Sequence, residues 1–203
     1  MNKRQIAADL ALLVTRDSQL ANALAQVGPP PPRNRPAGFE TFLSTIVSQQ
    51  ISTEAARAIL GRVTALMPEL SAPALLKLNS QDLRDAGLSF RKIEYAQGLA
   101  AAIVNGEFDI DALAQLDDAD AIKAITALRG FGRWSAEIYL MFSLKRRDIF
   151  PADDLALLIA LGRLKQLPGK PTPAQARELT THWAPMRTTG ALFLWHYYRG
   201  APT

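Results

Sequence analysis

Leu128-Arg129-Gly130-Phe131-Gly132-Arg133-Trp134-Ser135-Ala136 sets two glycines, one residue apart, between a helical pattern that ends at Ala127 and Leu128 and another that starts near Arg133. Glycine admits the positive φ of a tight turn and carries no side chain, so the spacing predicts a sharp helix-to-helix corner with backbone N–H groups uncovered. Such donors at a helix N-terminus, together with the macrodipole, attract an anion, so a phosphate diester can dock on the turn without any side-chain contact. Leu128, Gly130, Phe131, Gly132 and Arg133 are thus a candidate surface for a nucleic-acid backbone. Between Leu128 and Arg147 five basic residues stand against the single acid Glu137, a local charge of +4. The alternative is an ordinary αα-corner whose glycines serve only the turn.

Working outward, apolar residues recur at helical spacing almost everywhere, and no alternating β-branched and aromatic run is present, so the chain reads as all-α. Residues 3–27 read as one or two helices stopped by Gly28 and Pro29–Pro32, and Pro29 to Gly38 as an extended Pro-rich connector carrying Arg33 and Arg35. This divides the chain into a segment 1–38 and a module 39–203, with the N-terminal helices expected to pack on the C-terminal ones. Phe39, Phe42, Leu43, Ile46 and Val47 make one buried stripe, and Ser52 can cap a fresh helix, which places Gln49 and Gln50 in a helix-to-helix corner. Further helices are expected at about 80–86, 91–104, 118–127, 133–145, 154–165, 173–182 and 188–198. Leu83, Arg84 and Gly87 return 45 residues later as Leu128, Arg129 and Gly132, an echo too short for a solenoid.

Composition narrows the chemistry. The absence of cysteine among 203 residues removes disulfides, thiolate metal sites, cysteine-held iron–sulfur clusters and a cysteine nucleophile. Two histidines, His182 and His196, are too few for a histidine metal site, and no cofactor is expected. No run of eighteen uncharged apolar residues is present to span a membrane. Asp9 interrupts the apolar start and no cleavage signature follows, so a cytoplasmic location is expected. The net charge of +4, with sixteen arginines among 23 basic residues, suits a polyanionic partner.

After the glycine turn comes Asp148-Ile149-Phe150-Pro151-Ala152-Asp153-Asp154-Leu155, where one carboxylate is enough to cap the next helix. The other aspartate, beside an apolar loop, is left for chemistry. The turn resembles the helix-hairpin-helix motif of the helix-hairpin-helix DNA glycosylase superfamily. The Phe-x-x-Asp-Asp that follows it resembles the 3-methyladenine DNA glycosylase II branch, over about residues 39–198.

The resemblance implies a compact, two-lobed helical fold and a monofunctional enzyme of base excision repair, monomeric, that flips alkylated purines from damaged duplex DNA in the nucleoid. It makes Asp154 the catalytic carboxylate and Asp153 its neighbour, the more structural of the two. Gln50 becomes the wedge that enters the DNA gap, with Gln49 before it. Trp134 and Trp195 line the base pocket, with Ile138 and Tyr139 where the longer enzymes carry a pocket tyrosine. Ser89, Arg91 and Lys92, after Gly87 and Leu88, become a second DNA contact. It also implies a monovalent cation on the hairpin carbonyls, with no side-chain ligand. From the residues alone, Gln50 reads sooner as a helix cap, and each tryptophan sooner as plain core.

Departures from the pattern are informative as well. Strand-cleaving relatives carry a lysine two residues after the second hairpin glycine, and here that residue is Trp134, so no lyase activity is expected. Only 38 residues, helix-patterned up to the Pro-rich connector, precede the matching region, which reads as a short form without an N-terminal sheet domain.

Overall fold

A computed structural model describes residues 1–200, and within them every regular element is a helix, as the periodicity requires. The chain divides into two compact units, one of residues 35–136 and one of residues 1–34 with 137 onward.

The unit of residues 35–136 holds α3 (Phe39–Ser48), α4 (Thr53–Ala65), α5 (Ala72–Leu76), α6 (Ser80–Asp85), α7 (Phe90–Val104) and α8 (Asp118–Ala127). Beside a short 3-10 turn at Ala112–Ala114, helix α5 is, among the described residues, the one α-helix that the periodicity did not announce. At five residues with a proline at its start it is too short for a pattern, and Ser71 caps it by accepting the Ala74 N–H. Helix α7 packs on α5 and α3. Phe42 is buried at the centre, with the rings of Phe108 and Phe131 edge-on at 5.4 and 5.3 Å, the geometry that the aromatic quadrupole favours.

The other unit holds α1 (Lys3–Arg16), α2 (Ser18–Val27), α10 (Leu155–Leu164), α11 (Pro173–Leu179) and α12 (Arg187–Gly200), and α12 packs against α10, α1 and α2. Helix α9 (Arg133–Phe142) starts in the first unit and ends in the second. Asp9, which interrupts the apolar start of the sequence, is fully buried. It is tied to Arg147 at 2.5 Å, to the Thr189 hydroxyl at 2.7 Å and to Gln5 Nε2 at 2.8 Å. Asp17 caps α2 and gathers Lys165 at 2.6 Å, Trp183 Nε1 at 2.7 Å and His182 at 3.1 Å. Burial alone would raise its carboxyl, but Lys165, the Leu20 N–H, Trp183 and His182 hold the pKa down at about 2.

Candidate active site and nucleic-acid interface

In the glycine turn the two glycines differ. Gly130 has φ +94°, and a Cβ there would stand 2.4 Å from the Tyr95 ring, so both conformation and space demand glycine. Gly132 lies outside the left-handed region, and a Cβ there would meet nothing within 4 Å. The positive φ expected of the turn therefore belongs to Gly130, while Gly132 keeps an outward backbone bare. The Gly132 N–H is not left uncovered, because it donates to Ser135 Oγ at 3.0 Å and that hydroxyl donates back to Gly132 O at 2.9 Å. Phe131, expected at the DNA surface, turns inward onto Phe42 as the anchor of the turn, and Leu128 is half-buried. Arg133 and Trp134 open α9 and are exposed, Trp134 at 44%. Arg129 pairs with Glu94 on the surface.

The corner expected at Gln49 and Gln50 is present. Helix α3 stops at Ser48, and Ser52 caps α4 by accepting the Ala55 N–H at 3.2 Å. Gln49 does not face outward: its amide Nε2 donates to Gly130 O at 2.8 Å, bracing the glycine turn against the corner. Lys92 does the same for the end of α3, with Nζ donating to Val47 O at 2.8 Å at the negative end of the helix dipole. Burial lowers the Lys92 pKa. Ser89 caps α7 through the Lys92 N–H, and Arg91 is exposed. Gln50 is exposed with φ +58°, a region that costs a non-glycine residue about 1–2 kcal/mol. Two buttressing side chains thus hold a strained residue whose own side chain points to solvent, the pattern of a site where the side chain matters more than the backbone cost.

In the other unit, Asp154 is the N-cap of α10, with Oδ1 accepting the Leu157 N–H at 3.0 Å and Trp195 Nε1 at 3.2 Å. Asp153 is exposed and pairs with Arg177 at 3.4 Å. The sequence suggested one carboxylate for the cap and another for chemistry, whereas the structure gives Asp154 the cap and the place beside the indole. Asp153 has no buried structural duty that its charge would serve. Trp195 is half-buried beside Phe142, the ring centroids 5.9 Å apart. Ile138 and Tyr139, on the later part of α9, are buried at 5% and 4% exposure.

The loop that delivers Asp154 is pinned at its start. Arg187 grips Asp148 through Nε at 2.7 Å and a second guanidinium nitrogen at 2.8 Å, a bidentate fork that holds the Asp148 carboxyl below its usual range. Thr188 Oγ1 donates to Arg146 O at 2.8 Å and accepts the Ile149 N–H at 3.0 Å. Sequence reasoning missed these two residues, as it missed Arg33, and no local pattern announces a contact made across some forty positions. Among the described residues no group of three or more histidines or acids gathers as a metal site. The hairpin carbonyls also have protein partners: Leu128 O accepts the Phe131 N–H, Gly130 O accepts Gln49, and Gly132 O accepts the Ala136 N–H. Gly132 O also accepts the Ser135 hydroxyl, so a cation there would use the second lone pairs of Leu128 O and Gly130 O.

The chain is similar to known proteins over most of its length. The family model described as "HhH-GPD superfamily base excision DNA repair protein" matches residues 43–186. The chain is 32% identical over 161 residues to DNA-3-methyladenine glycosylase 1 of Schizosaccharomyces pombe, covering 77% of this chain and 71% of that protein. It is 38% identical over 145 residues to DNA-3-methyladenine glycosylase of Saccharomyces cerevisiae, 66% of this chain and only 48% of that one. The structure of the S. pombe enzyme in complex with abasic DNA superposes with a TM-score of 0.84 at 27% identity, covering 96% of this chain and 98% of the other.

Proposed function

The chain belongs to the HhH-GPD superfamily of base excision DNA repair proteins, and from that premise we propose that it is a monofunctional DNA glycosylase. Its substrates are alkylated purines of the 3-methyladenine type in duplex DNA. The observation that carries this reading is the Asp154 carboxylate, fixed at the start of α10 and hydrogen-bonded by the Trp195 indole.

Reaching C1′ of a nucleotide inside a duplex requires extruding it, at a cost of a few kcal/mol. Gln50, on its braced corner, fills the vacancy, and its amide meets the polar edges of the orphaned base. The bare turn at Gly132, with Arg133, Ser89 and Arg91, takes the phosphate backbone. The extruded base stacks on Trp195, beside Asp154, where a cationic purine gains about 0.5–2 kcal/mol from the indole face. As the N-glycosidic bond breaks, its electron pair leaves with the purine, and positive charge develops on the sugar. Asp154 faces that charge and takes the proton of the water that adds to C1′. Trp134 stands where an amine would be needed to form a Schiff base, so the strand is left intact. A single chain supplies every group named, and a monomer suffices.

The test is release of free base from methylated duplex DNA by wild type and Asp154→Asn, with strand breakage assayed without alkali. Asparagine caps a helix as well as aspartate does, so the variant keeps its stability. Loss of base release by about a hundredfold or more, with duplex binding retained, is the expected result. Full release by Asp154→Asn removes the carboxylate from its role, and binding without release of any base by wild type points to a silent binding module.

A further inference from the structure

Arg33 comes from the Pro-rich connector, far in sequence from any residue of the site, yet its guanidinium lies on the aromatic pair beside Asp154. Cζ is 4.7 Å from the centroid of the Phe142 ring and 5.8 Å from that of Trp195. The two rings are tilted by 40°, so the guanidinium rests over a shallow V. The Phe142 ring has no solvent exposure, and Arg33 belongs to what covers it. The approach is not accidental to a loose tail. Pro29 to Pro32 and Pro36 fix φ on both sides of Arg33, and the Asn34 amide donates to Met1 O at 3.2 Å.

We propose that Arg33 is a specificity-determining residue of the Asp154–Trp195 site, placing a permanent positive charge over the aromatic face and biasing base release from cationic toward neutral damaged purines. The inference rests on the reading of Asp154 and Trp195 as the place where the extruded base is held. A guanidinium does not lose its proton in a protein, so the charge is present at every working pH. A cationic purine stacked on Trp195 stands within about 6 Å of it and is repelled. A neutral purine is not repelled, and it needs what a cationic one lacks. When its glycosidic bond breaks, the electron pair makes the departing ring anionic, and a cation beside that ring stabilises it until water protonates it. Both effects shift the ratio of the two substrate classes the same way. For unit charges at this range in a partly solvated site the shift is about tenfold.

The experiment measures single-turnover base release from duplexes carrying 7-methylguanine, a cationic base, or hypoxanthine, a neutral one, by wild type, Arg33→Gln and Arg33→Lys. Glutamine keeps a planar polar group on a shorter stem and loses the charge, while lysine keeps the charge and nearly the length. The expected result is a hypoxanthine-to-7-methylguanine ratio about tenfold lower in Arg33→Gln, and closer to wild type in Arg33→Lys. An unchanged ratio overturns the proposal, as does an equal gain on both substrates, which would make Arg33 a mere occupant of the face. Wild type that releases 7-methylguanine but no hypoxanthine overturns it as well, and leaves the glycosylase reading standing. Wild type that releases neither base, while binding both duplexes, overturns that reading and the inference with it.

Discussion

The starts of α9 and α10 are both helix N-termini reached by a tight turn, and they are finished in opposite ways. Helix α10 brings its own anion, since Asp154 caps it. Helix α9 has no acid in its first turn, closes its cap with the Ser135 hydroxyl, and is preceded by a glycine whose outward face is empty. Each helix end carries roughly half a positive charge. The difference teaches that one such end is closed by a carboxylate and the other by a hydroxyl, with no anion brought by its own first turn. On the proposed function, the first holds a carboxylate ready for a developing cation and the second is left to meet a phosphate from outside. The same elementary feature would then serve chemistry in one unit and docking in the other.

The largest break in the comparison comes from the wrong glycine. Gly130→Ala forces a left-handed alanine into the Tyr95 ring, and we expect a loss of about 3 kcal/mol or more in urea unfolding. A variant of near wild-type stability would show that the turn relaxes, and that Gly130 is no more structural than Gly132.

A third helix start shows what a capping carboxylate looks like when it belongs wholly to the fold. Asp17 caps α2 from a buried position and its pKa is held at about 2. A carboxyl depressed in the folded state contributes stability that is complete above its unfolded pKa, near 3.8, and that is lost as pH falls from there through about 2. The contribution is about 2 kcal/mol. Between pH 5 and pH 2, Asp17→Asn should therefore show a shallower acid loss of stability than wild type. Identical slopes in the two proteins would remove Asp17 as its source. Asp154 differs in that Asp154→Ala should cost only about 1 kcal/mol, the worth of a cap, and Asp154→Asn almost nothing.

Much of this was legible in the sequence because it is local. The Gly-x-Gly turn, the apolar stripe from Phe39 to Val47, the Ser52 cap and the Asp-Asp pair each lie within a dozen residues, and all predicted the helices now seen there. Contacts set by packing between distant segments were not legible. Nothing near Gln49 says that its amide finds Gly130 O, nothing near Lys92 that it holds the end of α3, and nothing near Arg33 that it reaches Trp195. The choice between Asp153 and Asp154 has the same origin. Local rules allow either to cap, and the indole that singles out Asp154 arrives from α12, 41 positions later.

The smallest stability effects are the most telling about docking. Gly132→Ala fills empty space at a permitted φ, so stability should hold or rise by about 0.4–1 kcal/mol, while a methyl group now stands where a phosphate would approach. Weaker, less salt-dependent duplex binding by a protein at least as stable as wild type is the expected pair of results. Unaltered binding would return the turn to an ordinary corner. Gln50→Gly extends the argument to the wedge. Glycine removes the left-handed strain of about 1 kcal/mol and returns a similar amount in unfolded-chain entropy, so stability should stay within about 0.5 kcal/mol of wild type. Base release from duplex should nevertheless fall more than release from a single strand, which has no gap to fill. Equal falls on the two substrates would show that the braced corner holds Gln50 for some purpose other than entering the helix.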